Sequence, residues 1–344
     1  MKPANLLAIL LTALLTTFSC KESITEPEPP AGRRDYVWKV DTLAIPFMTF
    51  NRIWGSDTND VWIVGPGGDL DKTIYHYDGK AWKKYGISRP FSPLSVWGFG
   101  KNNVWFGGRE GKIWHYDGST LHENKLFETT QEKYIGFQEI WGDSPTNIYA
   151  VGYSGDDENR TAVIAHYNGL KWGLTDFTEL KKYTFLRIRK AGTNSNNYYL
   201  FGIKDEPQTG DLLSIWEYGG GTKIKLIYEG RDNLSSGAFI QIIDNQLYHT
   251  IGNTINNYLG GRFKEVLQVK VPNFGTQIFG RNKNDILLRM TDGIAHYNGN
   301  DIEYLYRFNR RTSITDAFLF ENEVFFLAFD LTNGNDLIFH GKLK

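Results

Sequence analysis

FNRIWGSDTNDVWIVG (residues 50–65), running on to TIYHYDGKAW (73–82), reads as four short strands. Apolar and aromatic runs alternate with turn signals. GSDTND is a turn after the first strand, VWIVG is a second strand, and the glycines after it open a loop. IYHYDG is a third strand, and KAWKKY a fourth. The pattern returns in LSVWGFGKNNVWFGG (94–108) with KIWHYDGSTL (112–121), and in FQEIWGDSPTNIYAVG (137–152) with VIAHYNGLKW (163–172). The tryptophans Trp54, Trp97 and Trp141 mark a spacing of 43 and 44 residues. Asp78-Gly79, Asp117-Gly118, Asn168-Gly169 and Asn298-Gly299 are expected to form tight hairpin turns with both central residues at positive φ.

Weaker copies follow. FLRIRKAGTNSNNYYLFG (185–202) puts Arg189 where Trp belongs. FIQIIDNQLYHTIG (239–252), TQIFGRNKNDILLRM (276–290) and AFLFENEVFFLAF (317–329) continue the series, with Phe320 in the last at the place of Trp54. Four strands every 40–45 residues imply an all-β, seven-bladed β-propeller of four-stranded blades. The last repeat supplies only three strands, and DYVWKVDTL (35–43) stands alone before the first. Donating it to the seventh blade closes the ring and leaves no open edge. The units resemble the tryptophan-rich propellers of bacterial secreted proteins. That resemblance implies an architecture and no activity, because propellers host hydrolases, lyases, lectins and scaffolds alike.

Composition agrees. Of 344 residues, 36 are Gly and 15% are aromatic, which suits short strands and many turns. The formal net charge is −1 and no long basic run occurs, so nucleic acid is not an expected partner. The single cysteine excludes an intramolecular disulfide framework.

That cysteine stands at a telling place. MKPANLLAILLTALLTTFSC (1–20) has a basic start and an apolar core too short to span a bilayer. The ending Ser19-Cys20 resembles the lipobox of bacterial lipoproteins. The resemblance implies a signal peptide over 1–19, lipidation of Cys20, and a membrane partner through the lipid anchor. KESITEPEPPAGRR continues a flexible tether over 20–34, and residues 35–344 form the single propeller domain. Lys21 stands where some inner-membrane lipoproteins carry Asp. This favours the outer membrane of a Gram-negative bacterium, facing the periplasm or the outside.

Candidate chemistry divides by position. His76, His115, His166 and His296 recur at one place in four blades and are expected to bond within their own blades rather than share a metal. The repeated tryptophans are expected between blades. Asp69 and Asp71, and Asp156, Asp157 and Glu158, form acidic loops without the spacing of a calcium loop. No GxSxG elbow or phosphate loop occurs, and no metal or cofactor is expected. Two places before each Trp-type position lie Arg52, Ser95, Glu139, Arg187, Gln241 and Gln277, a polar column directed at the central channel. Arg52, Glu139 and Arg187 are its charged candidates for ligand binding. The loops after second and fourth strands vary, and emerge on one face. Variable loops on a rigid scaffold carry function, which adds Arg109, Glu110, Tyr153, Arg160, Lys204 and Asp205. The reading is a non-enzymatic, membrane-anchored propeller that binds a protein or glycan partner through that face. The alternative is a carbohydrate-active hydrolase or lyase at the channel mouth. A structural subunit of an envelope assembly is the third class.

Overall fold

A computed structural model describes residues 28–67, 70–85, 91–128, 134–156, 158–192, 198–206, 208–231 and 239–344. The expected signal peptide, Cys20, Asp69 and Asp157 lie outside the described residues. Seven four-stranded antiparallel sheets form the molecule. Each innermost strand packs beside that of the next blade, and the first blade's (Arg52–Asp57) packs beside the seventh's (Thr312–Leu319). The ring is closed as the lone N-terminal strand implies. Tyr36–Leu43 pairs with Asn335–Leu343, from Tyr36 opposite Leu343 to Leu43 opposite Asp336. The closing strand thereby covers what would otherwise be an unpaired outer edge.

The second strands explain the apolar runs. Val61 and Ile63 pack with Phe325, Leu327 and Ile338 of the seventh blade. Trp62 and Val64 face the other way, onto Val96, Val104 and Phe106 of the second. Alternate residues face opposite sides of a strand, and here both sides are core. A strand between two blades therefore has no polar face, and Asp60–Val64 is buried throughout.

Glycines also stand within second strands: Gly152 and Gly202 lie inside Asn147–Ser154 and Tyr198–Lys204. A Cβ at Gly152 would collide with the carbonyl oxygen of Gly136. The glycine is there so that the innermost strand can come close. One local expectation is corrected: the Asx-Gly pairs are not two-residue turns. Tyr77 pairs with Trp82, leaving a longer loop over 78–81. Only the glycine has positive φ, +85° at Gly79. Asp78 Oδ1 instead accepts the backbone N–H groups of Lys80 and Ala81, each at 3.0 Å. Asp117, Asn168 and Asn298 do the same in their blades. A side-chain acceptor thus holds the loop that a backbone turn was expected to hold.

The histidines bond inside their own blades. His76 meets Asp60 at 2.6 Å, His115 meets Asn103 at 2.9 Å, His166 meets Asn147 at 2.7 Å and His296 meets Asp285 at 2.9 Å. His340, in the seventh blade, meets Glu323 at 2.6 Å. Four of these rings stack on the aromatic residue beside them: Trp62, Trp105, Tyr149 and Phe325. Residues 28–34, assigned above to the tether, lie against the sixth blade. Gly32 N–H donates to Asn284 O, and Arg34 pairs with Asp301 at 2.7 Å and Glu303 at 3.0 Å.

Candidate functional site

The innermost strands converge on a central cavity of about 380 Å³. How they aim side chains into it follows from a recurring irregularity. A register shift separates Pro93 from Ser95, Phe137 from Glu139, Phe185 from Arg187 and Ile314 from Asp316. Such a bulge bends the strand and redirects the next side chain. The residue after the shift, Ser95, Glu139, Arg187 or Asp316, lines the cavity, as does Arg52 of the first blade. The in-strand glycines lie opposite the shift: Gly152 faces Phe137 and Gly202 faces Phe185.

Register defines the column more sharply than the sequence did. Residues two before the Trp-type position lie opposite Val64, Gly107, Val151, Phe201 and Leu327 in blades one to four and seven. In the seventh blade this selects Asp316, and the Trp54 equivalent is Phe318, opposite Phe325, not Phe320. In the fifth blade Gln241 lies opposite Tyr248, at the Trp level, so the column place falls to Phe239. Gln241 and Phe239 both line the cavity. Asp316 and Phe239 were missed because a slip of two residues keeps every side chain on its face. The hydrophobic pattern therefore looks the same in either register. Arg189 sits opposite Tyr199, in the place of Trp.

The cavity's charges form one connected set. Glu139, 5% exposed, accepts from Arg187 Nη1 at 3.1 Å, from Ile188 N–H at 2.8 Å and from Arg189 Nη1 at 2.7 Å. Burial works to raise the Glu139 carboxyl, but Arg189, Arg187 and Arg52 outweigh it and hold the group below its ordinary value. Arg187, 6% exposed, lies over the Phe239 ring, 3.9 Å from its centre. Its Nη2 stands 3.9 Å from Asp316 Oδ1. Burial first and the charge of Arg52 second push Arg187 down to about 9, so it stays protonated at neutral pH. Asp316 Oδ2 accepts the Ile53 N–H at 3.3 Å. Arg52 donates Nη1 to the carbonyl of Asn51 at 3.0 Å, and its buried Nε has no partner among the described residues. Trp54, Trp97 and Trp141 form a chain at this level, with ring centres 6.5 and 5.9 Å apart, and Trp97 and Trp141 join the cavity wall.

The structure thus brings Arg52, Glu139 and Arg187 together. Arg109, Glu110, Tyr153, Arg160, Lys204 and Asp205 gather elsewhere, over the second to fourth blades. Tyr134 stacks on Tyr153 with ring centres 6.2 Å apart, and Arg160 lies 4.8 Å over Tyr153. Lys182 N–H donates to Arg160 O, and Asp205 N–H to Lys182 O. Lys204 pairs with Glu206 at 2.6 Å and lies over Tyr183. Glu110 pairs with Lys112 at 2.6 Å. None of these six lines the cavity. The acidic loops have local duties: Asp71 pairs with Lys84 at 2.8 Å, and Asp156 Oδ1 accepts the N–H groups of Glu158 and Asn159. Among the described residues no cluster of three or more His, Cys, Asp or Glu is placed to hold a metal.

No family model matches the chain, and no curated protein does. Solved structures do. YCF48 bound to D1 peptide superimposes with a TM-score of 0.62 at 15% identity, over 91% of this chain and 99% of that one. A catalytically inactive virginiamycin B lyase from Staphylococcus aureus with quinupristin gives 0.61 at 16%, over 90% and 100%. The WD40 β-propeller domain of Doa1 gives 0.54 at 11%, over 88% and 96%. At these identities the likeness is one of fold.

Proposed function

We propose that the chain is a lipid-anchored, non-enzymatic β-propeller that holds a protein partner at the outer membrane through its variable-loop face. One observation carries the reading: the Tyr134–Tyr153–Arg160 stack, flanked by Arg109, Glu110, Lys204 and Asp205, on one face of a closed rigid ring. Tyr and Arg dominate the residues that contribute most to protein interfaces. A propeller of the same fold is solved with a peptide bound. Anchoring rests on the apolar leader and on Cys20 as the one cysteine, with acyl chains supplying stable membrane attachment.

The alternative, a carbohydrate-active hydrolase or lyase, draws on Glu139 and Asp316 in the cavity. A general acid must keep its proton. Glu139 is held ionised by arginines, which suits an anchoring role better than proton donation. The test is crosslinking in the native envelope with Tyr153→Ala/Arg160→Glu beside the unaltered chain. The binding reading expects a defined crosslinked partner that the double variant loses. Retention of that partner by a folded double variant refutes the loop face. Turnover of a sugar found on a glycan array would favour the enzyme. Cys20→Ala is expected to move the chain from the membrane fraction to the soluble one.

A further inference from the structure

We propose that the channel cavity is a receptor for one carboxylate carried on a short apolar body, with Arg52 as its principal ligand. Charge balance points to one anion. Among the described residues Arg52, Arg187 and Arg189 line the cavity with Glu139 and Asp316, so three cations face two anions. Lys190 also lines it, but is neutralised by Asp143 at 2.8 Å. One positive charge is left over, and the hydrogen bonds say where. Arg189 is committed to Glu139 and to the carbonyl of Ile188. Arg187 is pinned by Glu139 on one side and Phe239 on its face. Among the described residues Arg52 has a carboxylate on none of its nitrogens, and its Nε is buried without a partner. A buried donor left unpaired costs about 1–3 kcal/mol, more when charged. A carboxylate accepting from Nε and one terminal nitrogen of Arg52 would supply the missing bonds in the bidentate geometry that guanidinium favours. Arg187 Nη2, beyond hydrogen-bond reach of Asp316, is a second donor on the same space.

The wall fixes the rest of the ligand. Trp97, Trp141, Ile242, Phe279 and Phe318 line the cavity. Its volume falls in the range of small-molecule sites. The lining runs from Arg52 toward the C-terminal ends of the innermost strands, to Lys190 and Leu319. The lining therefore lies toward the ends where first strands lead into second strands, away from the variable loops. The site is independent of the protein-binding face proposed above. A free aryl or alkyl acid and the C-terminal residue of a peptide share this chemistry.

Calorimetric titration of the full chain at low ionic strength decides among them. The probes are 3-phenylpropionate and N-acetyl-Ala-Phe, each beside its carboxamide. Binding of at least one acid is expected, with its amide at least about tenfold weaker. 3-Phenylpropionate alone identifies a free acid, and the dipeptide alone identifies a chain terminus. Arg52→Gln is expected to weaken the binding acid at least about tenfold, and Arg52→Lys by less, because it keeps the charge and loses the fork. Thermal melts of both variants verify folding, and Arg52→Lys carries the test if Arg52→Gln does not fold. The proposal is overturned if neither acid binds, if the amides bind equally well, or if the folded Arg52 variants bind like the unaltered chain.

Discussion

The third strands and the channel column are both polar features repeated around the ring, and they behave oppositely. On the third strand the same pair recurs: His76 with Asp60, His115 with Asn103, His166 with Asn147, His296 with Asp285 and His340 with Glu323. Each of these histidine bonds lies within one blade. In the column each blade brings something different: Arg52, Ser95, Glu139, Arg187, Phe239, Gln277 and Asp316. There the bonds run between blades, from Glu139 to Arg187 and from Arg187 toward Asp316. Repetition marks what every blade needs in order to be a blade. Individual residues at a repeated position mark what the ring does once.

That contrast can be broken or sharpened by measurement. Deleting Tyr36–Leu43 bares the edge of Asn335–Leu343, and is expected to cost the most, on the order of 5 kcal/mol or more, with loss of cooperative thermal unfolding. Glu139→Gln leaves Arg187 buried with its main counter-charge gone. A loss of about 3–5 kcal/mol is expected in denaturant melts, partly recovered by adding Arg187→Gln. Full additivity of the two would show that the column is not a coupled unit.

Asp336 tests whether a singular buried charge always signals a site. It is 1% exposed and accepts the Phe50 N–H at the seam between blades seven and one, and burial pushes its carboxyl up to about 7. Its native pKa lies above the unfolded value. The native state therefore binds the extra proton, and its stability contribution is full below about pH 4 and lost as pH rises through about 7. Asp336→Asn is expected to flatten that limb and to stabilise the chain by about 2–4 kcal/mol at pH 8. An unchanged pH profile would refute this.

His76→Ala and His166→Ala are each expected to cost about 1–3 kcal/mol, and similar amounts, since each removes one stacked ring and one hydrogen bond. A large disparity between them would break the equivalence of the repeated pairs. Arg52→Gln is expected to leave stability unchanged or to raise it by up to about 1–3 kcal/mol, because among the described residues the guanidinium makes one backbone bond and no ion pair, and its buried Nε is unpaired. That absence of a loss, beside the large effect of Glu139→Gln, would separate a residue kept for a ligand from one kept for the fold.

Sequence carried the architecture far. The Trp, His and Asx-Gly spacings gave the blade unit, and the leftover strand at 35–43 gave the closure. It misread the Asx-Gly turns because an Asp or Asn side chain can take over the acceptor's work from the backbone. The in-strand glycines serve another strand's approach, which no pattern within their own strand announces. Arg189 was visible as a substitution for Trp, but nothing local linked it to Glu139.

What the sequence determined by itself is the ring, because strand alternation, turn chemistry and repeat length are all set within one blade of about 44 residues. What only the tertiary structure decided is the cavity's charge pattern. Glu139 and Arg187 are 48 residues apart, and Asp316 reaches both the Arg187 side of the channel and the Ile53 amide. Those groups meet only because closing the ring sets the innermost strands around one axis. Electrostatic pairing depends on distance in space, and no period in the chain encodes it.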